Sequence, residues 1–293
     1  MEKPIEPSKD DCCNSGCNPC IFDIYEKQLK AYNRYITHGV KDTDFLQENG
    51  ISQLKYTKFK ISKNVHLCPS HNIITFKKEA LDGKKVFWKP GDHFLLKYIS
   101  DESSCTRAYT PVTFGSESED DNDFSIIVKK YDNGFVSNYL HCMEEGCVTL
   151  WRGPYGNFKI EHNKYEQIIM IAQGTGIAPF VKIIDNILTN EDDMTKVYLL
   201  YCCNSIDTIL FRNELYSYNS YWNFKYEIYT CTPSCLKSKY NEPIKNNKMS
   251  IADVCNFKPF AGNSQFLICG SKKFNDYYSK YIRQEISEQV ILF

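Results

Sequence analysis

An apolar run that ends in a glycine-rich turn occupies residues 167–179 and reads QIIMIAQGTGIAP. A short apolar run rich in β-branched residues and bounded by glycine predicts a strand that is buried on both faces. Gly174 and Gly176 permit a tight turn, and Pro179 suits the first turn of a helix. The stretch therefore predicts a strand–turn–helix unit, the building block of a parallel α/β sheet.

The same alternation continues to the end of the chain, where strand-like runs are followed by segments with helical spacing. The further predicted strands are Val197–Tyr201, Phe224–Tyr229 and Gln265–Cys269, and the predicted helices are Phe180–Leu188, Leu210–Tyr216 and Lys273–Glu285. Residues 165–293 are therefore predicted to form a doubly wound α/β domain, whose ligands would bind at the carboxyl ends of its strands.

Residues 55–162 show a different pattern, in which short β-branched and aromatic runs alternate with turn signals such as Lys89-Pro90-Gly91. The runs are Tyr56–Ile61, Asn72–Phe76, His93–Tyr98, Phe124–Lys130 and Cys147–Arg152. Strands at this spacing predict a small antiparallel β-barrel. The predicted fold class is α+β with two domains, an antiparallel β-barrel followed by the doubly wound α/β domain.

Residues 1–46 form a separate cysteine-rich segment that ends in a predicted amphipathic helix, Ile21–Tyr35. Its four cysteines are Cys12, Cys13, Cys17 and Cys20. The Cys17-x-x-Cys20 spacing suits tetrahedral thiolate ligation. However, adjacent cysteines point in different directions, and no second Cys-x-x-Cys follows within residues 1–46. A thiol-rich docking segment is therefore favoured, and metal binding stays open as the alternative.

Composition and charge exclude several classes of protein. The chain has 293 residues, of which 24% are charged and 42% hydrophobic, with a net charge of −1. These values are typical of a globular protein without bulk attraction to nucleic acid or to an anionic membrane. No run approaches the roughly 18 apolar residues of a membrane span, and the N-terminus has no signal-peptide core. We expect an intracellular, soluble protein, with the cytoplasm favoured.

Two motifs in the barrel region have the chemistry to hold a nucleotide cofactor. In Arg107-Ala108-Tyr109-Thr110-Pro111-Val112, the Arg can bind a pyrophosphate through two hydrogen bonds. The Tyr lies on the same side of an extended strand, where its ring can lie against a flat heterocycle. In Gly134-Phe135-Val136-Ser137, a glycine before a helix lets backbone N–H groups approach a phosphate. A plain helix cap by Ser137 is an equal alternative there.

Two further motifs belong to the α/β domain. The turn Gly174-Thr175-Gly176 allows close approach by a ligand, although it lacks the full G-x-G-x-x-G fingerprint. Cys269-Gly270-Ser271 ends the last predicted strand, where the thiol would face a bound nicotinamide. Both motifs also fit structural turns. Their order along the chain is more specific than either motif alone.

Taken in order, these motifs resemble the NADH-cytochrome b5 reductases of the ferredoxin reductase superfamily. The resemblance runs from about Lys58 to Phe293 and includes Gly153-Pro154-Tyr155-Gly156. It implies that the barrel domain, residues 55–162, binds FAD and that the α/β domain, residues 165–293, binds NAD(P). The cysteine-rich start resembles the short oxidoreductase-like N-terminal module. Together with Cys269-Gly270-Ser271, where the reductases proper usually carry Cys-Gly-Pro, this start favours the reductase-like branch of the family.

The resemblance implies that the chain is an enzyme that transfers hydride from NADH to FAD and then single electrons to a haem protein such as cytochrome b5. Thr110 and Cys269 would lie at the reacting rings, and no metal is implied. The residues implied to hold FAD or NADH are Arg107, Tyr109, Thr110, Pro111, Val112, Val128, Lys129, Gly134, Val136, Ser137, Gly174, Thr175, Gly176, Cys269, Gly270 and Phe293. Residues 1–46 are expected to be dispensable for flavin reduction, because these positions all begin at or after Arg107.

Three departures from the family pattern leave alternatives open. Thr232 stands near where NADH-preferring relatives carry an Asp, so NADPH stays open as a donor. Phe135 stands where reductases often carry a Lys that faces acidic cytochrome b5, and Ala178 stands where they often carry Thr. The acceptor therefore stays open, with a quinone or a ferredoxin-like protein as alternatives. A non-enzymatic, nucleotide-binding redox scaffold is the alternative from a different class.

Overall fold

The computed structural model describes residues 3–11, 20–39, 49–100, 104–113, 123–232, 236–256 and 263–293. These residues form two compact units. The first unit contains the described residues up to Asn157 apart from Leu67–His71, and the second contains those five residues and the described residues from Phe158 onward. Cys12, Cys13 and Cys17 lie outside the described residues.

The first unit is built on a six-stranded antiparallel sheet with the strand order β4-β3-β6-β1-β2-β5. The strands are β1 (Thr57–Cys68), β2 (His71–Lys78), β3 (His93–Ile99), β4 (Ser104–Tyr109), β5 (Phe124–Lys129) and β6 (Val148–Tyr155). Two helices accompany them, α1 (Ile21–His38) and α2 (Phe135–Cys142).

Aromatic side chains fill the core of this unit. The fully buried Trp151 ring lies 5.0 Å from Phe76 and 5.3 Å from Phe124, both in edge-on contact. Phe94 packs edge-on against Phe124 at 4.9 Å. Edge-on pairs of this kind stabilise a core beyond the area that they bury. Because side chains alternate across a strand, the opposite face of β3 remains for another element to cover.

Helix α1 covers that opposite face. Its Ile21 and Ile24 pack with Leu95 of β3 and Tyr155 of β6. The buried side chain of Gln28 donates a hydrogen bond from Nε2 to the carbonyl of Gln53 at 3.0 Å. The helix of the cysteine-rich segment is thus part of the first unit, held by apolar packing and by a long-range hydrogen bond.

The helix begins directly after Cys20, the last of the four clustered cysteines. Asp23 accepts a hydrogen bond from the Cys20 backbone N–H at 3.0 Å, and the Cys20 side chain accepts one from the Asp23 backbone. This reciprocal pair is a capping box, which satisfies backbone donors that the first turn leaves free. The last cysteine of the cluster therefore fixes where α1 starts.

The second unit is a parallel sheet with the strand order β10-β9-β8-β7-β11-β12. Its strands are β7 (Gln167–Gln173), β8 (Lys196–Cys203), β9 (Phe224–Thr230), β10 (Ile244–Lys245), β11 (Ser264–Cys269) and β12 (Val290–Leu292). Its helices are α3 (Ala178–Leu188), α4 (Arg212–Tyr218), α5 (Ile251–Asn256) and α6 (Lys272–Glu285). The strand order reverses between β7 and β11, which is where ligands of such sheets bind.

The predicted fold class is confirmed. The structure adds α5 and the short strands β10 and β12, which the periodicity did not predict. Two or three residues are too few to show the alternation that marks a strand. Among the described residues, no helix is both long enough and apolar enough to cross a membrane.

We predict that replacing Ile24 by Asp will destabilise the first unit by about 3 kcal/mol, because the change removes a buried side chain and buries a charge. Urea unfolding followed by tryptophan fluorescence measures the loss, with the buried Trp151 as reporter. Asn33→Asp, on the exposed face of the same helix, is the control with the same charge change. If both variants unfold at the same urea concentration as the parent, α1 does not contribute to the stability of this unit.

Candidate functional site

The candidate flavin-binding strand is β4, at the edge of the first sheet. Arg107 and Tyr109 lie opposite Leu96 and Phe94 of β3, so both project from the same face of the strand, as predicted. The half-buried Tyr109 ring contacts Trp151 edge-on at 5.9 Å. Burial raises the pKa of the Tyr109 hydroxyl, so the phenol stays neutral.

The guanidinium of Arg107 makes one hydrogen bond with the described residues. Its Nη1 donates to the carbonyl of Thr106 at 2.9 Å. In the part of the chain that the structure describes, it forms no ion pair with an Asp or Glu. A half-buried guanidinium with free donors is suited to bind a pyrophosphate.

His93 and Thr110 flank the same end of this strand pair. His93 is the first residue of β3 and Thr110 directly follows β4, while Phe94 opposite Tyr109 is the last pair of the register. His93 Nε2 is buried and has no hydrogen-bond partner among the described residues. Burial lowers the pKa of His93 to about 4, so the ring is neutral near pH 7. A buried polar atom without a partner is costly, and a ligand with a polar edge, such as a flavin, would fit this position.

The candidate phosphate turn is held by Ser137. Its hydroxyl donates to the carbonyl of Gly134 at 3.0 Å and accepts from the backbone N–H of Tyr131 at 3.3 Å. A Cβ at Gly134 would lie 2.3 Å from the Ser137 oxygen, so a side chain here would displace the hydroxyl from these two contacts. The N-cap residue of α2 is Gly134 and no side chain caps the helix, so Ser137 stabilises the turn without acting as the predicted cap. The N–H groups of the first turn of α2 remain for a phosphate.

The other flavin-side positions fall into two groups. The side chains of Pro111, Val112, Val128 and Val136 are buried, so a ligand would meet these residues mainly through their backbone. Lys129 is half-buried, and its Nζ lies 5.5 Å from the centre of the Tyr131 ring. Of these five flavin-side residues, Lys129 is therefore the one whose side chain could place a positive charge beside a ligand.

In the second unit, the structure brings together two motifs that are far apart in sequence. Gly174 adopts a left-handed conformation with φ +55°, which glycine tolerates best. A Cβ at Gly176 would lie only 2.2 Å from the carbonyl oxygen of Cys269. The turn Gly174–Ile177 therefore closes directly onto the end of β11, at the reversal of strand order. The predicted nucleotide positions Gly174, Thr175, Gly176, Cys269 and Gly270 lie in this one region.

Cys269 and Phe293 are also placed on this side of the second unit. Burial raises the pKa of the Cys269 thiol to about 12, so it stays protonated. The Phe293 backbone N–H donates to the carbonyl of Ile268 at 3.0 Å, and its ring contacts Phe158 and Phe180 at 5.3 and 5.6 Å. The terminal aromatic residue is thus fixed beside the end of β11.

The sequence did not predict two residues that have hydrogen-bonding groups without a partner among the described residues. His93 lies in the Pro90-Gly91-Asp92-His93 stretch, but only the pairing of β3 with β4 brings it to the strand end that Thr110 follows. Gln173 is an exposed polar residue that ends a strand whose other six residues are buried. That contrast, directly before the glycine turn, was a signal in the sequence.

Three protein-family models match the chain. They are the oxidoreductase FAD-binding domain over residues 58–160, the oxidoreductase NAD-binding domain over residues 170–280, and the N-terminal region of oxidoreductase-like proteins over residues 1–39. The first two correspond closely to the two compact units. The first unit is thus the domain that binds FAD, and the second unit is the domain that binds NADH.

Curated relatives match almost the whole chain. The protein from Homo sapiens called "NADH-cytochrome b5 reductase-like" is 30% identical, and the match covers 93% of this chain and 88% of the relative. The protein of the same name from Mus musculus is 29% identical over 94% of this chain and 89% of the relative.

Solved structures share the fold. The cytochrome b5 reductase domain of Ulva prolifera nitrate reductase has a TM-score of 0.69 at 21% identity, covering 84% of this chain and 100% of that domain. The CS-b5R domains of human Ncb5or, in the NAD⁺ form, have a TM-score of 0.68 at 22% identity, covering 84% and 71%. With the matches to the relatives and the domain families, the chain belongs to the NADH-cytochrome b5 reductase-like family and is an NADH-dependent oxidoreductase that carries FAD.

Proposed function

We propose that this enzyme takes hydride from NADH onto FAD and passes electrons one at a time to a haem protein such as cytochrome b5. The observation that carries the proposal is the match to relatives of that name along almost the entire chain, with both units included. Bound FAD supplies the conversion between two-electron hydride and single electrons.

The protein's own residues have binding and orienting tasks in this proposal. Arg107 holds the pyrophosphate, Tyr109 and Thr110 contact the flavin ring, and the N–H groups after Gly134 meet a phosphate. In the second unit, the glycine turn against Cys269 orients the nicotinamide, since hydride transfer depends on close alignment of the reacting atoms. Hydride transfer needs no general base, which agrees with the neutral forms of Tyr109, His93 and Cys269.

The start of α2 offers a surface for a protein acceptor. Phe135 is 82% exposed and Tyr131 is 55% exposed, and both are close in sequence to the phosphate turn. Lys129 and Lys130 add positive charge, which complements an acidic partner. Exposed aromatic side chains beside basic ones are typical of protein contact sites, and they support a protein rather than a small quinone as acceptor.

An acceptor comparison tests the proposed function. The FAD-loaded enzyme is mixed with NADH and, in separate reactions, with cytochrome b5, a quinone or a ferredoxin-like protein. We expect NADH to bleach the flavin absorbance and cytochrome b5 to be reduced fastest. Faster turnover with the quinone or the ferredoxin-like protein would contradict the haem acceptor. A flavin that no reduced nicotinamide nucleotide bleaches would contradict the enzymatic function itself.

We predict that Arg107→Ala will weaken FAD binding by about 2–3 kcal/mol, because it removes a charged two-point contact to the pyrophosphate. The measurements are the FAD content after purification and the dissociation constant from titration of the apoprotein. Arg34→Ala, on an exposed part of α1, is the matched control and should bind FAD like the parent. If Arg107→Ala purifies with a full complement of FAD, Arg107 does not hold the cofactor.

We predict that Cys269→Ser will slow flavin reduction by NADH while FAD stays bound, because Cys269 positions the nicotinamide and is not a nucleophile. Its pKa of about 12 implies that the thiol contributes no ionisation to the rate between about pH 6 and 9. Stopped-flow reduction across that pH range measures both effects. Cys142→Ser, at an exposed cysteine, is the control. Unchanged reduction kinetics in Cys269→Ser would leave this residue with a packing role only.

A further inference from the structure

Gln173 occupies the point where the order of the strands reverses. It is the last residue of β7, beyond six buried residues, and its own side chain is exposed. In the parallel register it pairs with Cys202 of β8, while Ala172 pairs with Cys269 of β11. The carboxyl ends of strands at such a reversal are where open α/β sheets bind their ligands. Gln173 is therefore a polar side chain at the expected nucleotide position.

The orientation of the Gln173 amide is settled by its partners. Its Oε1 accepts hydrogen bonds from the backbone N–H of Ser271 at 3.1 Å and from the Ser271 hydroxyl at 2.8 Å. A backbone N–H can only donate, so the atom that faces it is the oxygen and not the nitrogen. The amide nitrogen, with two hydrogens to donate, is thereby directed away from Ser271. It has no acceptor among the residues that the structure describes.

Ser271 bonds to Gln173 instead of capping its own helix. It is the N-cap residue of α6, where a Ser side chain usually accepts a hydrogen bond from the first turn of the helix. In this structure its side chain makes no capping bond and instead donates to Gln173. The hydroxyl therefore contributes to the placement of the amide rather than to the start of the helix.

Gly270 provides the space in which the Gln173 side chain lies. A Cβ at residue 270 would approach the Gln173 Cβ to 2.9 Å and the Phe274 ring to 2.7 Å. Glycine at this position thus lets the side chain lie against the end of β11. Gln173, Gly270 and Ser271 form one packed arrangement beside the Gly174–Ile177 turn.

We propose that Gln173 binds the nicotinamide half of NADH, donating from its amide nitrogen to an oxygen of that half, and that Ser271 is the residue that positions it. The nicotinamide half of the dinucleotide offers hydrogen-bond acceptors at its carboxamide oxygen and at its ribose oxygens, and ADP has neither of these groups. Two hydrogen bonds from Ser271 hold Gln173 Oε1 in place and thereby orient the amide nitrogen. Binding an acceptor to that nitrogen therefore costs little side-chain freedom. This inference rests on the proposed function, in that it assumes NADH binds at the reversal between β7 and β11.

The test compares ligands with and without the nicotinamide half on the FAD-loaded full chain. Equilibrium titration with NAD⁺, which gives no turnover, and with ADP measures two dissociation constants for each variant. We expect Gln173→Ala to weaken NAD⁺ about 5- to 10-fold, and Gln173→Glu to weaken it more than about 10-fold, because a carboxylate cannot donate. Ser271→Ala, which keeps the backbone contact, should weaken it about 2- to 3-fold. ADP should bind all of them like the parent.

Gln284→Glu, on an exposed part of α6, adds the same charge away from the strand ends and should leave both constants unchanged. Equal loss of NAD⁺ and ADP binding in the Gln173 variants would show general damage to the site and overturn the assignment to the nicotinamide half. Parent-like NAD⁺ binding in Gln173→Glu would overturn the inference outright. If the proposed function itself is wrong, NADH will not reduce the flavin of the parent enzyme, and this result is distinct from any change in the variants.

Discussion

The backbone contact between Gly176 and the carbonyl of Cys269 determines the geometry of the second unit around its candidate site. A side chain at residue 176 would lie 2.2 Å from that oxygen, so glycine is required if the turn after β7 is to close onto β11. Because the two strands are parallel neighbours, this one contact joins motifs that are separated by more than ninety residues of sequence. The position of Gln173 over Gly270 depends on the same close approach, since both residues flank the contact.

The first unit depends on β3 being covered on both faces. Phe94 and Leu96 belong to the aromatic core on one side, and Leu95 between them packs against α1 on the other. Among the described strands, the edge strand β4, which carries Arg107 and Tyr109, is paired with β3 alone. Ala108 of β4 also packs against the cluster under α1. The oxidoreductase-like segment thus stabilises the strand that is proposed to hold FAD, although its need for flavin reduction stays a prediction.

The sequence predicted most of what long, regular patterns determine. The run Gln167–Ala172 is apolar throughout because β7 is buried between two parallel neighbours, and that pattern is visible without a structure. The placement of Arg107 and Tyr109 on one face followed from the alternation of a strand. The functions suggested here for His93 and Gln173 depend instead on register and on which atom of a side chain is already bonded. Neither property is contained in the local pattern of residues, because each is set by partners far away in the chain.

The electrostatics of the candidate binding residues in each unit agree with a reaction that moves hydride and electrons rather than protons between side chains. Perturbed pKa values often mark groups tuned to act as acids or bases near pH 7. In this enzyme burial moves the pKa values of Tyr109, His93 and Cys269 away from neutrality, and each is held in its uncharged form. Arg107 and Lys129 are the charged members of the candidate binding set, and their positive sign suits the phosphates of a dinucleotide. Fixed donors and cations with neutral neighbours supply orientation and charge balance, which is the contribution that a flavin requires from its protein.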